Sequence, residues 1–375
     1  MILHLRMRFA GLLGLLAFAA TPSRADFRYE LVDLGTLGGD HSAAHDVNAS
    51  GRVVGWSHTA SGEVHAFLYD GTAMRDLGAP SGLGSHASGL NDAGRVVGNY
   101  DFVEPEVGGF RAFAYDGSTM RDVPDLGGIS AAATAINNSG LIVGYSYVAG
   151  SYIEVHAFVN DGAAVTDLGT LGGLGSYASD VNENGVVVGD STTAGSGGQL
   201  AFIYDGTTMK SLGTLGGFFS FATKINDAGW VVGSSDTADG IQHGFLYDGS
   251  TMRDLGDLGG GWSGAQAINN VGQVVGFASA AAGTPMRAFL YENGAMADLN
   301  DLIDPSSGWT LNYAQGINDA GWIVGYGETP DGRQRAFLLK PGPAAVPEPA
   351  SVAMLALGAG VVAAAALRRR RATVG

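Results

Sequence analysis

Asn48-Ala-Ser-Gly-Arg-Val-Val-Gly55 is the first of seven copies of one phrase, Asn-x-x-Gly-x-[Val/Ile]-Val-Gly. The other copies begin at Asn91, Asn137, Asn182, Asn226, Asn269 and Asn318, at intervals of 43 to 49 residues. A fixed period of roughly 20 to 50 residues indicates a repeat architecture in which each unit is one supersecondary element. The phrase therefore predicts the fold before any other feature is considered.

Three further phrases recur in each unit. A strand-like segment with an alanine four residues before the Asn comes first, a strand centred on phenylalanine follows the phrase, and a short Asp-Leu-Gly segment ends the unit. Short apolar runs that are rich in β-branched and aromatic residues and bounded by Asn, Asp and Gly are typical of strands. Four antiparallel strands in a unit of about 45 residues match the blade of a β-propeller.

The number of strands predicts how the array ends. First, second and third strands each occur seven times within residues 42–339, but the fourth strand occurs only six times there, and residues 27–34 supply the missing one. We therefore predict an all-β fold over residues 26–340: a seven-bladed β-propeller of four-stranded blades, closed by the N-terminal strand, which completes the last blade beside residues 336–340. Such closure removes an open sheet edge. The alternative is an open β-solenoid of the same units, which does not need the displaced strand.

The phenylalanine strand reads His/Arg-Ala-Phe in most units, with departures at Leu200, Gly244 and residues 300–302. Together with the Asp-Leu-Gly and Asn phrases, it resembles the extracellular HAF-repeat family over essentially residues 26–340. The resemblance implies a fold and an extracellular location, and that family has no well-defined activity.

The charge of the chain excludes some partners. Seven of the 20 basic residues lie in the terminal segments, so residues 26–348 carry 13 basic residues against all 36 acidic ones, a formal balance of −23. An acidic body without a basic stripe repels phosphate backbones, so we expect no nucleic-acid partner. The chain has no cysteine, which excludes disulfides and thiolate chemistry.

Residues 1–25 predict a secretory signal peptide. Basic residues precede an apolar stretch, and a small-x-small site ends at Ala25. The alternative is a membrane anchor, which the short apolar stretch disfavours.

The C-terminus predicts a second targeting signal. Residues 341–350 are a proline-rich linker with a Pro-Glu-Pro motif, residues 351–367 are an uncharged segment that predicts a transmembrane helix, and residues 368–375 are an arginine-rich cytoplasmic tail. This order resembles the PEP-CTERM sorting signal of Gram-negative bacteria; the alternative is a plain tail anchor. The resemblance implies an exosortase-type processing enzyme, transient contact with the inner membrane, and export to the periplasm, outer surface or exopolysaccharide matrix. The residues assigned to sorting and processing are Ala25, Pro347, Glu348, Pro349, Arg368, Arg369, Arg370 and Arg371.

The variable connections predict a ligand-binding face. The connections from second to third strands, and from fourth strands to the first strand of the next repeat, vary in sequence and emerge on one side of the sheets. Binding residues are often carried by variable loops on a rigid scaffold. Aromatic side chains beside carboxylates suit the apolar faces and hydroxyls of sugars. An alternative is that the aromatics only cap the blades. The candidate residues are Phe102, Glu104, Glu106, Tyr147, Tyr152, Phe218, Phe219, Trp262 and Glu328.

The sequence patterns that would indicate a metal site or a catalytic site are weak. The histidines of the His/Arg-Ala-Phe column are spread around the array, so we expect no metal site from them. Asp180, Asn182 and Asn184 resemble the start of a calcium loop, but the twelfth position is Ser191, where a glutamate is expected. Paired carboxylates for catalysis would have to come from the aperiodic acids, and the sequence does not show whether two of them meet.

We therefore expect a secreted or surface-associated, non-catalytic binding module, with no resident cofactor and extracellular polysaccharide as the leading ligand. The alternative is a propeller glycoside hydrolase or lyase that uses acids on the variable face. A third hypothesis is a structural spacer without a ligand.

Overall fold

Each Asn phrase forms the turn between the first and second strands of its repeat. In the fourth repeat, the Asn182 side-chain oxygen accepts the N–H groups of Asn184 and Val186 at 3.1 and 3.0 Å. Gly185 has a φ of 77°, a conformation that costs glycine little because it has no Cβ. The Asn and the first glycine of the phrase are therefore two parts of one tight turn.

The last glycine of the phrase is required for a different reason. A Cβ on Gly189 would lie 1.9 Å from the carbonyl oxygen of Tyr177 on the first strand. The first strand carries a register shift between Ala178 and Asp180, which brings its backbone close to this glycine. The same approach recurs at the equivalent glycines of the other repeats.

The computed structural model describes residues 27–104, 107–195 and 198–342, within one unit, Phe27–Gly342. The first strands of the repeats are β2 (Gly38–Val47), β6 (Ser85–Leu90), β10 (Gly127–Ile136), β14 (Gly172–Val181), β18 (Gly216–Ile225), β22 (Ser263–Ile268) and β26 (Thr310–Ile317). The second strands are β3 (Val53–Thr59), β7 (Val96–Glu104), β11 (Ile142–Val148), β15 (Val187–Thr193), β19 (Val231–Thr237), β23 (Val274–Ser279) and β27 (Ile323–Glu328). The third strands are β4 (Val64–Tyr69), β8 (Val107–Tyr115), β12 (Val155–Asn160), β16 (Gln199–Tyr204), β20 (Gln242–Tyr247), β24 (Met286–Glu292) and β28 (Gln334–Pro341). The fourth strands are β5 (Met74–Gly78), β9 (Met120–Asp122), β13 (Val165–Asp167), β17 (Met209–Gly213), β21 (Met252–Asp254), β25 (Ala295–Asp298) and, from the start of the chain, β1 (Tyr29–Asp33).

The described residues contain no α-helix. Two short 3₁₀ helices, Leu299–Leu302 and Pro305–Ser307, lie in the connection before the last repeat. No helix among residues 27–104, 107–195 and 198–342 has the length and apolar character needed to cross a membrane. The predicted signal peptide, transmembrane helix and arginine-rich tail lie outside the described residues.

The prediction of seven separate four-stranded blades is wrong. The structure has five four-stranded blades, while strands β10 to β17 belong to one eight-stranded sheet. The two repeats in this sheet are joined by a parallel pairing of Val155 on β12 with Gly175 on β14. The repeat pattern counts units, but it does not show whether two neighbours join across their boundary.

The predicted role of the N-terminal strand is confirmed. β1 pairs antiparallel with β28, from Tyr29 opposite Pro341 to Asp33 opposite Phe337. The first and last repeats also contact each other directly, because the Ala336 N–H donates to the Ser42 hydroxyl at 3.0 Å. The array is therefore closed, which contradicts the open solenoid.

Hydrogen bonds between the seven asparagines close a ring around the axis. The Asn182 side-chain amide donates to the backbone carbonyl of Asn226 at 3.1 Å, and each asparagine does the same to the next one. The last donates to the first, because Asn318 Nδ2 lies 2.9 Å from the Asn48 carbonyl oxygen. All seven asparagines are buried. Each side chain therefore both forms its own turn and joins its repeat to the next.

The hydrophobic core lies between neighbouring repeats. The phenylalanine of every third strand is completely buried, and it is the largest fully buried side chain in its repeat. Phe113, for example, packs in one cluster with Val96 of its own repeat and Val54 and Ala66 of the preceding one. Burial of a phenylalanine side chain contributes about 2–3 kcal/mol, so the His/Arg-Ala-Phe column carries much of the inter-repeat packing.

The histidine of the His/Arg-Ala-Phe column pairs with the aspartate of the fourth strand. His65 Nδ1 lies 2.9 Å from an Asp76 carboxylate oxygen, and His156 and His243 make the same contact with Asp167 and Asp254. Arg287 is paired with Asp298 in the same way, at 3.4 Å. In the fourth repeat both partners are absent, since Leu200 and Ser211 occupy the two positions. The column therefore holds the outer strand in place.

We expect Asn182→Ala to lower the free energy of unfolding by about 2–4 kcal/mol, because it leaves buried donors and acceptors in two repeats without partners. Asn184→Ala is the matched control, because Asn184 is exposed on the same turn and should cost less than about 1 kcal/mol. Urea denaturation measures both. Equal losses for the two variants would contradict the role of the ring.

We expect the pair Leu200→His and Ser211→Asp to give the fourth repeat the missing contact. In a double-mutant cycle, the two substitutions together should be more favourable than their separate effects by about 0.5 kcal/mol, a typical value for a surface pair. Thermal unfolding of the four proteins of the cycle measures this coupling. A coupling of zero would show that the column does not hold the outer strand.

Candidate functional site

The ring has two unlike ends. The turn end carries the Asn turns and the short turns between third and fourth strands, and the loop end carries the second-to-third and fourth-to-first connections. Both ends of the described chain lie at the turn end, where the Gly342 N–H donates to the Arg28 carbonyl at 2.7 Å. The loop end is therefore free of both ends of the propeller body.

Exposed apolar side chains are concentrated at the loop end. The described residues expose eleven large hydrophobic side chains, and only Trp230 and Val271 belong to the turn end. The other nine, all at the loop end, are Leu83, Val103, Tyr152, Ile153, Leu174, Phe218, Phe219, Ile241 and Trp262. Exposed apolar groups gathered on one face of a soluble domain typically mark an interaction surface.

Five of these nine residues lie at the loop ends of first strands or directly before those strands. We call the set Leu83, Leu174, Phe218, Phe219 and Trp262 the loop-end mouth. Phe218 is 82% exposed, Leu174 is 55% exposed and Trp262 is 49% exposed. The mouth joins Phe218, Phe219 and Trp262, which the sequence predicted, with two residues that it did not.

Carboxylates lie beside the mouth in three repeats. The Asp101 carboxylate lies against the backbone of Gly84, next to Leu83, and the Asp236 side chain lies against Gly217, next to Phe218. Asp257 Oδ1 accepts the N–H of Gly261, next to Trp262, at 3.0 Å. Although burial favours the protonated form of Asp257, bonds from Gly261 and Gly259 hold the pKa of its carboxyl below the usual value. An ionised carboxylate thus adjoins an exposed apolar side chain.

Tyr147 and Glu328 occupy the same repeat position as Asp101 and Asp236, at the loop ends of their second strands. Glu328 is exposed there and Tyr147 is half-buried. The structure thus brings these two predicted residues to the rim of the mouth. Tyr152 lies in the connection between β11 and β12 and is highly exposed, away from the first strands.

Phe102 belongs to a groove on the hairpin of β7 and β8, which shares Leu83 with the mouth. A cavity of about 440 Å³ is lined there by Pro80, Ser81, Leu83, Tyr100, Phe102, Val103 and Arg111. The Arg111 guanidinium lies 4.4 Å from the centre of the Phe102 ring, which is a cation–π contact. Glu104 is the last residue of β7, and Glu106 lies outside the described residues.

A second cavity, which the sequence did not predict, opens at the turn end. It has a volume of about 720 Å³ and is lined by the Asn turns of all seven repeats. The residue before each Asn, from Val47 to Ile317, gives it an apolar ring, and Asp92, Glu183, Asp227 and Asp319 lie at its rim. All four of these carboxylates, together with Asn138 and Asn270, accept N–H bonds from the repeat before, so they serve the contacts between turns.

The suggested calcium residues are engaged in other contacts. The Asp180 carboxylate accepts the Ile225 N–H at 3.0 Å and lies 3.3 Å from the Lys224 ammonium group. Burial alone would lower the pKa of Lys224, but the carboxylates of Asp180 and Asp46 raise it, so the ammonium stays charged. Asn182 belongs to the asparagine ring, and the Asn184 amide donates to the Asp227 carbonyl at 3.0 Å. The three side chains do not converge on one point.

Within the described parts of the chain, no group of three or more His, Cys, Asp or Glu side chains is arranged to hold a metal ion.

The carboxyl group of Asp190, in the loop-end half of the ring, has a raised pKa. It faces Tyr177 across β14 and β15 and accepts a hydrogen bond from the Gln199 amide. Burial disfavours its charge and raises the pKa to about 6, while the Gln199 bond opposes the rise. The sequence gave no indication of this, because Asp190 occupies a repeat position that elsewhere holds aromatic or small polar residues.

Leu83, Leu174, Asp101 and Asp236 are the mouth and rim residues that sequence reasoning missed. Leu83 and Leu174 share one repeat position with Phe218, and Asp101 and Asp236 share another, while the remaining repeats carry other residues at both positions. Comparison of the repeats column by column, at the start of the first strand and the end of the second, could have found all four.

The fold has solved relatives. The chain is similar to the β-propeller domain of the Trilobed protease from Pyrococcus furiosus, at 11% identity and a TM-score of 0.52, over 82% of this chain and 99% of that one. It is also similar to YCF48 bound to D1 peptide (12% identity, TM-score 0.44, 86% and 97% covered) and to Trypanosoma rangeli sialidase (10%, 0.39, 83% and 59%). The first likeness supports the fold alone: the chain is an all-β β-propeller. No curated protein sequence matches it.

The C-terminus of the chain matches a known targeting signal. Residues 345–371 match the PEP-CTERM protein-sorting motif. The predicted sorting signal is thereby confirmed, and it implies export of the chain and processing by an exosortase-type enzyme.

We expect Asp190→Asn to stabilise the protein at neutral pH. Because the folded pKa is about 6 and the ordinary value is 3.8, the folded state binds the proton more tightly, and this group lowers stability as the pH rises between those values. The variant should gain up to about 3 kcal/mol at pH 7.5 and almost nothing at pH 4. Thermal unfolding of both proteins across this range measures the difference, and a gain that does not vary with pH would contradict the assignment.

Proposed function

We propose that this protein is a non-catalytic binding propeller that takes up extracellular polysaccharide at the loop-end mouth. The observation that carries the proposal is the exposure of Leu174, Phe218, Phe219 and Trp262 at the loop end of the ring. Flat apolar side chains on rigid strands can pack on the faces of sugar rings, while neighbouring carboxylates accept hydrogen bonds from hydroxyls.

Two features support this proposal over an unoccupied spacer. Leu174, Phe218 and Phe219 lie on first strands, so their backbone positions are fixed by the ring and cost little entropy on binding. The sorting signal implies export, and polysaccharide is an abundant partner outside the cell. The repeats' resemblance to the HAF-repeat family is part of the same proposal and agrees with an extracellular role.

The enzymatic alternative, a glycoside hydrolase or lyase, has one observation in its favour. Asp190 has a pKa near neutrality, as a general acid would need. Its carboxyl group is buried, however, and already bonded to Gln199. A hydrolase would require a second carboxyl group about 5–10 Å away on the far side of a bound sugar.

We expect Trp262→Ala and Phe218→Ala each to weaken polysaccharide binding by about tenfold, in line with the loss of one aromatic contact of about 1.4 kcal/mol. Trp230→Ala is the matched control, because Trp230 is an exposed tryptophan at the turn end and should leave binding unchanged. A glycan array identifies the ligand, and affinity electrophoresis in gels containing that polysaccharide measures the change.

Two results would decide against the proposal. Absence of binding to every polysaccharide on the array would remove it. Formation of new reducing or unsaturated ends during incubation, with loss of that activity in Asp190→Asn, would favour the enzyme instead.

A further inference from the structure

The two ends of the ring differ in charge as well as in exposed apolar surface. Among the described residues, the loop-end connections and the strand halves that flank them carry 20 carboxylates and four guanidinium groups, a formal balance of −16 with histidines counted as neutral. The turn-end half carries the other 13 carboxylates and nine basic residues, a balance of −4. Most of the negative charge of the body therefore faces the same way as the loop-end mouth.

Three of the four guanidinium groups at the loop end have partners there. Arg333 lies 3.4 Å from Asp40 and 3.1 Å from Asp331. Arg287 is paired with Asp298, and the Arg111 guanidinium lies over Phe102. Six histidines also lie at this end, and three of them are paired with aspartates of the fourth strands. Even when every histidine is counted as a cation, the carboxylates outnumber the cationic groups, so the field at the mouth attracts positive charge and repels negative charge.

Charge and apolar surface are also interleaved at short range. The Asp236 side chain adjoins the residue before Phe218, and the Asp257 carboxylate is bonded to the residue before Trp262. A sugar that carries an ammonium group could place its ring on the aromatic side chain and its charge beside the carboxylate. An ammonium group near the face of an aromatic ring gains a further cation–π attraction.

We infer that the polysaccharide taken up at the mouth is cationic, a polymer of amino sugars with free amino groups. The inference rests on the proposed function and adds the chemical class of the ligand. A neutral sugar uses the aromatic side chains but not the surplus of negative charge, and an anionic polymer is repelled by that surplus. A basic polypeptide would also be attracted by the negative charge, but it has no sugar rings to pack on the exposed aromatic side chains. We therefore favour the amino-sugar polymer.

The test compares three probes on the full chain at pH 5.5, where the amino groups are protonated: glucosamine hexamer, N-acetylglucosamine hexamer and polylysine. We expect the glucosamine hexamer to bind at least about tenfold more tightly than its acetylated form in 50 mM NaCl, and to lose most of that advantage in 300 mM NaCl, because screening weakens exposed charge pairs. Isothermal titration calorimetry gives the Kd values.

Two pairs of variants separate the charge from the aromatic contribution. Asp236→Asn should weaken binding of the glucosamine hexamer, while Asp248→Asn, which removes the same charge from the turn end, should leave it unchanged. Trp262→Ala should weaken binding of both hexamers, and Trp230→Ala should weaken neither. All four side chains are at least partly exposed, and an unchanged melting temperature confirms that each variant is folded.

The outcomes separate the inference from the proposed function. Equal, salt-independent binding of the two hexamers overturns the inference and leaves polysaccharide binding intact. Binding of polylysine as tight as that of the glucosamine hexamer, with no effect of Trp262→Ala, overturns it in favour of a basic polypeptide. If neither hexamer binds and no other polysaccharide on the array binds, both the inference and the proposed function are wrong.

Discussion

The ring of seven asparagines is the constraint on which the rest of the structure depends. Each side chain closes its own turn through its oxygen and binds the next repeat through its nitrogen, and the Asn318 amide returns to the Asn48 carbonyl at 2.9 Å. The oxygen and the nitrogen of such a buried amide are both hydrogen-bonded only when its own turn and the next repeat are in place. The ring therefore links local turn formation to closure of the whole array.

Closure, in turn, determines which residues can act together. The core lies between repeats, so the buried phenylalanine of one third strand packs against the preceding repeat and fixes its distance. Once the ring is closed, the loop ends of the repeats share one face even though they are about 45 residues apart in sequence. The loop-end mouth is a product of this arrangement, because no single repeat carries more than two of its five residues.

The repeats differ where the ring does not need them to be alike. Buried columns, such as the phenylalanine and the two glycines of the Asn phrase, tolerate little change, since a Cβ at the last glycine would collide with a backbone carbonyl. The starts of the first strands and the ends of the second strands face solvent, and there the sequence varies from Asp40 to Leu174 to Phe218. Exposed aromatics, carboxylates and the merged sheet at Gly175 all arise in these variable positions. The ring thus holds a varied surface in a fixed geometry.

The sequence alone determined the period, the four strands of each unit, the displaced N-terminal strand and the sorting signal. These follow from local patterns: turn glycines, alternating apolar residues, and the order of segments at the C-terminus. It also identified Phe218, Phe219 and Trp262 as residues that depart from the repeat. Only the tertiary structure decided that two repeats share one sheet, that Asp190 is buried with a pKa of about 6, and that Leu83 and Leu174 lie at the same mouth. The physical reason is that strand pairing across a repeat boundary, desolvation and shared exposure depend on distances between residues far apart in the chain, and a period in the sequence does not contain those distances.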